Sequence, residues 1–400
     1  MMLFPSRENL RRRADIGLIV AFFVLIWLPT ADKLLHLDRA QSMNENRPYA
    51  KFPKFQATLD GTRKFLSGLE AYFSDSFGYR RQLVRWERLL RWNVFHDTKG
   101  ATVLKGSSDW LYFSDGRSVD DIIGASPFSA GDLENWRKLL TGRRDWLRER
   151  GIRYLLVVPP DKQSVYPEHL PPWLIARARP PRRLDQFFAY MRAHSDVPVL
   201  DLRPALAEAK KQGDIYLHTD THWNDRGAFA GYARIMQELG SLGLPINALS
   251  PDAFDETLEN QPGGDLVRML GLEGLVIEKD APILSSKPSM PQIAQRAYSG
   301  EMPGKNWIPK TEPVFSENPA AKTKAVVFRD SFSGYLTKFF GYHFSRIVYV
   351  WQQNWDKPLI EREKPDVVMD VILERFIIYR NPEVLLKNDE HPEAQSTTDR

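Results

Sequence analysis

The chain has no cysteine among its 400 residues. That excludes disulfides, a thiolate nucleophile and cysteine-based zinc or iron–sulfur sites. It also leaves the chain able to work in an oxidising compartment without mispairing. Net charge is nearly absent as well: 55 Lys and Arg stand against 51 Asp and Glu, a formal excess of +4. No dense basic run occurs beyond the N-terminus, so nucleic acid is not an expected partner. There is no Walker-type loop and no dinucleotide fingerprint, and Gly263-Gly264-Asp265 is too short to cradle a phosphate. No cofactor follows from these patterns. Internal repeats and low-complexity tracts are missing too. What the chain does have is 42% hydrophobic and 12% aromatic residues, enough for a full core. Its length suits one large domain with extensions, or two modest domains.

Arg7, Arg11, Arg12 and Arg13 precede an uncharged stretch from Ile16 to Thr30, closed by Asp32 and Lys33. A basic flank before an apolar segment predicts a cytoplasmic N-terminus with the remainder across the membrane. The uncharged run is short against the roughly 17–25 residues of a span. It reaches Leu37 if Asp32 and Lys33 snorkel. A cleaved signal peptide is the rival reading, but Pro29-Thr30-Ala31 fits a cleavage site poorly. The expected layout is a basic tail over 1–15, an uncleaved signal anchor over 16–37, and a stalk with a helical lead-in over 38–95. In the lead-in, Phe65, Leu69, Tyr72, Phe73, Leu83, Trp86, Leu89 and Leu90 keep helical spacing, interrupted by a turn at Ser74-Asp75-Ser76-Phe77-Gly78.

The catalytic domain is expected over 96–380. Ile152–Val158, Val197–Leu200, Ala325–Phe328, Arg346–Trp351 and Asp366–Ile372 read as strands. The first is a continuous apolar run, as a buried parallel strand requires. Amphipathic helices are predicted around Leu133–Trp146, over Arg226–Leu239 with Asn224 as N-cap, and over Phe332–Phe340. Strand–helix alternation of this kind predicts an α/β fold, a mostly parallel sheet flanked by helices. Residues 241–320 show no clear period and read as a loop-rich insertion near the site. Residues 381–400 are polar and read as a loosely ordered tail.

Three residues carry candidate chemistry. Ser331 follows a short apolar strand and precedes a helix, so it falls at a strand's carboxyl end, where α/β sites form. Backbone N–H groups there can stabilise an oxyanion. The plainer alternative is a helix cap by Asp330 or Ser331. Asp220 and His222 are spaced i, i+2, and on an extended segment they share one side. The carboxylate would accept the Nδ1–H and leave Nε2 facing a nucleophile. The alternative is a loop aspartate beside a satisfied histidine. His218 alternates with the same pair, but same-face strand neighbours lie about 6.5–7 Å apart. Metal–nitrogen bonds are about 2.0–2.1 Å, so no metal is assigned. Arg329 is a candidate donor to an oxyanion or a substrate carboxylate, against a surface salt bridge. Lys162 lines the cleft or is solvated. Trp351 and Trp355 stack on sugar rings or belong to the core.

Taken in order, these blocks resemble the AlgJ/AlgX-type polysaccharide O-acetyltransferases, an SGNH-hydrolase-like family. The resemblance rests on Glu45-Asn46-Arg47-Pro48, on Phe73 through Arg80, and on Gly106 through Asp109-Trp110-Leu111-Tyr112. It continues in Val158-Pro159-Pro160-Asp161-Lys162 through Tyr166-Pro167, in Asp220-Thr221-His222-Trp223 and in Arg329-Asp330-Ser331-Phe332. It implies an SGNH-like domain with Ser331, His222 and Asp220 as triad, the Asp-x-His block preceding the serine. It implies acetyl transfer through an acetyl-serine to hydroxyls of an exported polysaccharide such as alginate. It also implies a periplasmic enzyme anchored to the bacterial inner membrane, and a membrane-bound O-acyltransferase partner that supplies the acetyl group. The same triad would serve a carbohydrate acetylesterase, and a non-catalytic sugar-binding scaffold of a secretion complex is the reading from another class. No carbohydrate-binding module follows the catalytic domain, and the usual glycine and asparagine oxyanion donors have no match.

Overall fold

The computed structural model of the chain describes residues 7–35, 50–76, 78–90, 102–298, 313–352 and 354–390. The Glu45-Asn46-Arg47-Pro48 block and Phe77 lie outside them. The chain divides into two units, residues 1–97 and 98–400.

In the first unit, α1 (Arg7–Leu35) is followed by α2 (Leu59–Ser76) and α3 (Arg80–Leu90). The boundary expected at residue 15 falls inside α1. Ile16, Leu18, Ile19, Val20, Phe22, Phe23, Val24, Ile26 and Trp27 are all more than half exposed. These consecutive positions cover every side of the helix, so no amphipathic stripe is buried. Among the described residues no helix is long and apolar enough to cross a membrane. Asp32, which would have to snorkel for the segment to reach Leu37, is buried and accepts the Tyr79 N–H at 3.0 Å. The turn expected at Ser74-Asp75-Ser76-Phe77-Gly78 comes later: Ser74, Asp75 and Ser76 still belong to α2, and the turn described is at Gly78-Tyr79, with Tyr79 in the left-handed region (φ 57°).

The second unit is built on the apolar runs. Its first elements are β1 (Val103–Lys105), β2 (Leu111–Phe113), α4 (Arg117–Ile122), α5 (Ala130–Arg148), β3 (Arg153–Val158) and α6 (Lys162–Val165). Next come α7 (Pro172–Ile175), α8 (Arg183–His194), β4 (Val199–Asp201), α9 (Arg203–Ala209), α10 (Asp225–Ser241), β5 (Phe254–Pro262), α11 (Asp265–Leu270) and β6 (Ile277–Ser286). The chain continues with β7 (Gln295–Ala297), β8 (Val314–Glu317), β9 (Thr323–Arg329), α12 (Ser333–Phe340) and β10 (Phe344–Val350). It closes with α13 (Lys357–Glu363), β11 (Val367–Val371), α14 (Glu374–Tyr379) and α15 (Pro382–Glu390).

Seven strands form one sheet in the order β4-β3-β11-β9-β10-β8-β7. The first five are mutually parallel, and β8 and β7 add an antiparallel edge. The continuous apolar runs follow from cover on both faces. Ala325, Val327, Ile347, Val367 and Met369 pack with Ile235, Met236 and Leu239 of α10 and Leu336, Phe339 and Phe340 of α12. Val326, Phe328, Val348 and Val368 pack with Leu139, Leu140 and Leu147 of α5 and Phe187 and Phe188 of α8. Burying each such large side chain stabilises by about 1.5–3 kcal/mol. Asn224 caps α10 as expected, its side chain accepting the Gly227 N–H at 3.1 Å.

Two stretches differ from expectation. Residues 241–320 are not simply loop. β5 and β6 pair as a long antiparallel hairpin enclosing α11, and β7 and β8 join the main sheet. Residues 382–390 are helix rather than loose tail, because Asp389 of α15 meets Arg143 of α5 at 2.6 Å. Arg143 also pairs with Asp370 of β11 at 2.8 Å, and Asp370 accepts from Tyr154 (2.6 Å) and from the Trp355 indole (2.9 Å). This buried network places Trp355 in the core.

Candidate active site

The serine segment is shaped by strand ends. At the carboxyl end of β9, Asp330 is buried and accepts the Phe332 N–H (3.0 Å) and the Leu373 N–H that follows β11 (2.7 Å). Burial pushes its carboxyl up to about 6 against the pull of those two donors. Asp330 therefore forms the turn that leads from β9 into α12. The N-cap position of α12 is Phe332, with no side-chain cap bond, so Ser331 does not act as the cap. Its side chain is half-buried at the exit of the strand.

The histidine segment is a hairpin-like loop. Tyr216 and Trp223 form an antiparallel bridge, and the Leu217 N–H donates to the His222 carbonyl at 3.2 Å. Residues 218–222 bend across its tip, so the pair is not carried on the extended segment expected. The bend itself brings the groups together. Asp220 Oδ1 accepts the His222 backbone N–H at 3.0 Å and lies 2.6 Å from His222 Nδ1. Trp223 is fully buried and donates its indole N–H to the Phe332 carbonyl at 3.2 Å. The His222 ring sits 4.8 Å from the Phe332 ring and 5.8 Å from that of Tyr335. Segments 109 residues apart thus converge. His222 packs on the residue next to Ser331, and no hydrogen bond joins their side chains among the described residues.

The loop tip is held from outside. Glu278 of β6 accepts the His218 and Thr219 N–H groups, each at 2.8 Å, and the Thr219 hydroxyl. Asp220 Oδ2 accepts the Asp265 N–H at 2.8 Å. Asp265 in turn accepts the Thr221 N–H (2.7 Å) and hydroxyl (2.5 Å). Gly264 makes this approach possible, since a Cβ there would stand 2.3 Å from Asp220 Cβ. Burial alone would raise the Asp220 carboxyl; the bond and charge of His222 and the N–H donors outweigh it and hold it below the usual carboxylate range. Asp265 goes the other way, raised by burial and by the Asp220 charge.

Lys162 is not a cleft-lining donor. It is buried, and its ammonium donates to the Leu111 carbonyl (2.8 Å) and the His218 carbonyl (3.1 Å). Burial pushes the amine down to about 7 despite Asp220, Glu278 and Asp265 nearby. The Leu111 N–H also donates to the His218 carbonyl, at 2.9 Å. Trp110 stacks on His218 and on Tyr166, each at 4.1 Å, and the Tyr166 hydroxyl accepts the Ile215 N–H at 3.0 Å. The 106–112 and 158–167 blocks therefore form the floor beneath the histidine loop. His218 is turned away to Asp214 (2.9 Å), so the His218–Asp220–His222 grouping is not formed. The cluster that does form is Asp220, His222 and Asp265, with ligand-type atoms within 4.8 Å of one another. The carboxylate oxygens of this cluster each accept an N–H or O–H, and the 2.6 Å contact to Nδ1 is a hydrogen-bond separation. Those donors are engaged with each other rather than arranged around an ion.

Arg329 and Trp351 come together at the carboxyl ends of β9 and β10, the guanidinium 4.8 Å above the indole. Arg329 is buried and donates Nη1–H to the Asp330 carbonyl at 3.2 Å, while its Nε has no acceptor. No carboxylate pairs with it among the described residues, so the surface salt bridge weighed above is not what the structure forms. Asp265, Glu278 and Gly264 were not singled out from sequence. The available signal was Gly263-Gly264-Asp265 itself, two glycines before an acidic residue at a helix start.

Residues 103–295 match the family model described as an SGNH hydrolase-like domain, acetyltransferase AlgX. That span contains Lys162, Asp220, His222, Asp265 and Glu278, and ends before Arg329, Ser331 and Trp351. A protein of Pseudomonas syringae pv. tomato named probable alginate O-acetylase AlgJ is 28% identical over 237 residues, 57% of this chain and 56% of that one. The chain thus matches about half the length of such curated relatives. Among solved structures, Bacillus cereus PatB1 has a TM-score of 0.51 at 15% identity, covering 70% of this chain and 100% of that one. A DHHW family protein from Eubacterium siraeum has a TM-score of 0.50 at 15% identity, covering 73% and 96%. At such identities the likeness is one of fold.

Proposed function

We propose that this chain, which carries an SGNH hydrolase-like domain of the AlgX acetyltransferase family over residues 103–295, moves an acetyl group through Ser331 onto hydroxyls of an exported polysaccharide such as alginate. The observation that carries the reading is the Asp220–His222 pair at 2.6 Å, its ring packed on Phe332 beside Ser331. His222 Nε2 removes the hydroxyl proton as Ser331 Oγ bonds to the acetyl carbonyl carbon. The carbonyl π pair moves onto oxygen, where preorganised donors would stabilise the charge. Collapse expels the donor's leaving group, which takes the proton from His222. A sugar hydroxyl then attacks the acetyl-serine with His222 again as base, and Ser331 recovers its proton. Asp220 holds Nδ1–H throughout. The Ser331–His222 hydrogen bond forms as substrate enters, as such bonds do in Michaelis complexes.

Arg329, which no carboxylate pairs among the described residues, and the half-exposed Trp351 beside it are the residues we assign to acceptor contact. The acetyl donor is presented by a membrane-bound O-acyltransferase, and the enzyme works in the periplasm held by α1. The apolar side chains exposed on every side of α1 support attachment to a membrane.

Brief exposure of the full-length protein to an activated acetyl ester, followed by mass spectrometry, should find one acetyl group on Ser331, and none in Ser331→Ala. Adding oligosaccharide should divert the acetyl group from water to sugar. Hydrolysis alone would make the chain an acetylesterase. Retained polymer acetylation by Ser331→Ala in cells would leave it a non-catalytic sugar-binding subunit.

A further inference from the structure

Asp220 is not the only carboxylate beside His222. Asp265 Oδ2 stands 3.9 Å from His222 Nδ1 and reaches the ring through Thr221. The Thr221 hydroxyl donates to Asp265 Oδ2 at 2.5 Å. A hydroxyl has a single proton. With that proton committed, Thr221 Oγ1 can only accept, and it lies 3.3 Å from His222 Nδ1. Nδ1–H therefore meets two acceptors, Asp220 Oδ1 at 2.6 Å and Thr221 Oγ1. Both require the proton on Nδ1, and both leave Nε2 free. One acceptor leaves the ring able to swing about its axis; a second, off that axis, fixes its plane.

We infer that Thr221 and Asp265 are positioning residues: a second arm, parallel to Asp220, that sets the tautomer and plane of His222. The inference rests on the reading of His222 as the base. The arm is carried by the hairpin insertion rather than by the sheet. Asp265 opens α11, and its own N–H steadies Asp220. Other charged or titratable groups with electrostatic reach to Asp265 or His222 are Lys162, Asp330, Tyr335 and Arg375. None of these hydrogen-bonds to the Thr221 side chain among the described residues.

The test compares Thr221→Val, which keeps the shape and loses the hydroxyl, with Thr221→Ser, which keeps the hydroxyl. In the full chain with an activated acetyl ester, Thr221→Val should slow Ser331 acylation about tenfold at unchanged KM, and Thr221→Ser should stay within about twofold of wild type. Asp265→Asn should match Thr221→Val in acylation rate, because Thr221 then loses its carboxylate partner. A readout independent of turnover is the downfield proton resonance of His222 Nδ1–H, which should move upfield in Thr221→Val and hold in Thr221→Ser. Equal behaviour of the Val and Ser variants in both measurements overturns the inference, and this pair decides even if Asp265→Asn does not fold. If wild type takes no acetyl group while the resonance responds as described, the enzyme reading fails and the arm stands. If wild type is acylated and Thr221→Val is indifferent, the arm alone fails.

Discussion

The serine and histidine segments reach the same place by opposite means. Ser331 leaves a buried parallel strand, and its turn is closed by Asp330 binding two backbone N–H groups at the ends of β9 and β11. Every group involved belongs to the sheet or its exits. The histidine loop does not continue a strand of the main sheet. Its tip is gripped by Glu278 and Asp265 from the hairpin insertion and by Lys162 from the end of β3. A buried bend exposes N–H and C=O groups that must find partners, and these come from 44 to 60 residues away. Ser331 is thus placed by hydrophobic packing, and His222 by borrowed polar contacts.

Gly264→Ala should break that contrast most sharply. The added Cβ forces Asp220 aside, and a shift near 1 Å at a catalytic pair lowers the rate about 100-fold. Acetyl-ester turnover measures it; wild-type activity would mean that the insertion does not seat Asp220. Next is Glu278→Gln. A single amide oxygen cannot satisfy the His218 N–H, Thr219 N–H and Thr219 hydroxyl together, so unfolding should be easier by about 1–3 kcal/mol in urea. An unchanged midpoint would show that the loop finds other partners.

The last test concerns Lys162. Burial lowers its folded pKa to about 7 from the ordinary 10.5 of a lysine. Between those values the unfolded chain binds more protons, so stability contributed by this group rises with pH across that window and is least below it. The slope has an upper bound of about 1.4 kcal/mol per pH unit. Lys162→Met should flatten the rise between pH 7 and 10 in thermal melts. A rise identical to wild type would place the titration elsewhere.

Much of the fold was legible locally. β3, β9, β10 and β11 announce themselves because both faces are buried, which forces consecutive apolar residues. Asn224 was readable because a cap bonds three residues ahead, and Asp220–His222 because the two stand only two positions apart. The hairpin was not legible: β5 is exposed along nearly its whole length, so no alternation marks it. The helix α15 was equally hidden, since its polar surface is anchored through Asp389 to Arg143, 246 residues earlier. Lys162 misled for the same reason. Its place after a strand end suggested a cleft, and only the carbonyls of Leu111 and His218 show it to be a buried clamp.

What the amino-acid order alone determined is the parallel strands, the helices over them and the Asp220–His222 contact, because burial periodicity, capping and i, i+2 contacts act over a few residues. Only the tertiary structure decided how His222 is held, which lysine and carboxylates do so, and that its ring packs beside Ser331. Those outcomes depend on satisfying buried polar groups across long stretches of chain, and no local pattern records which distant partner will supply the bond.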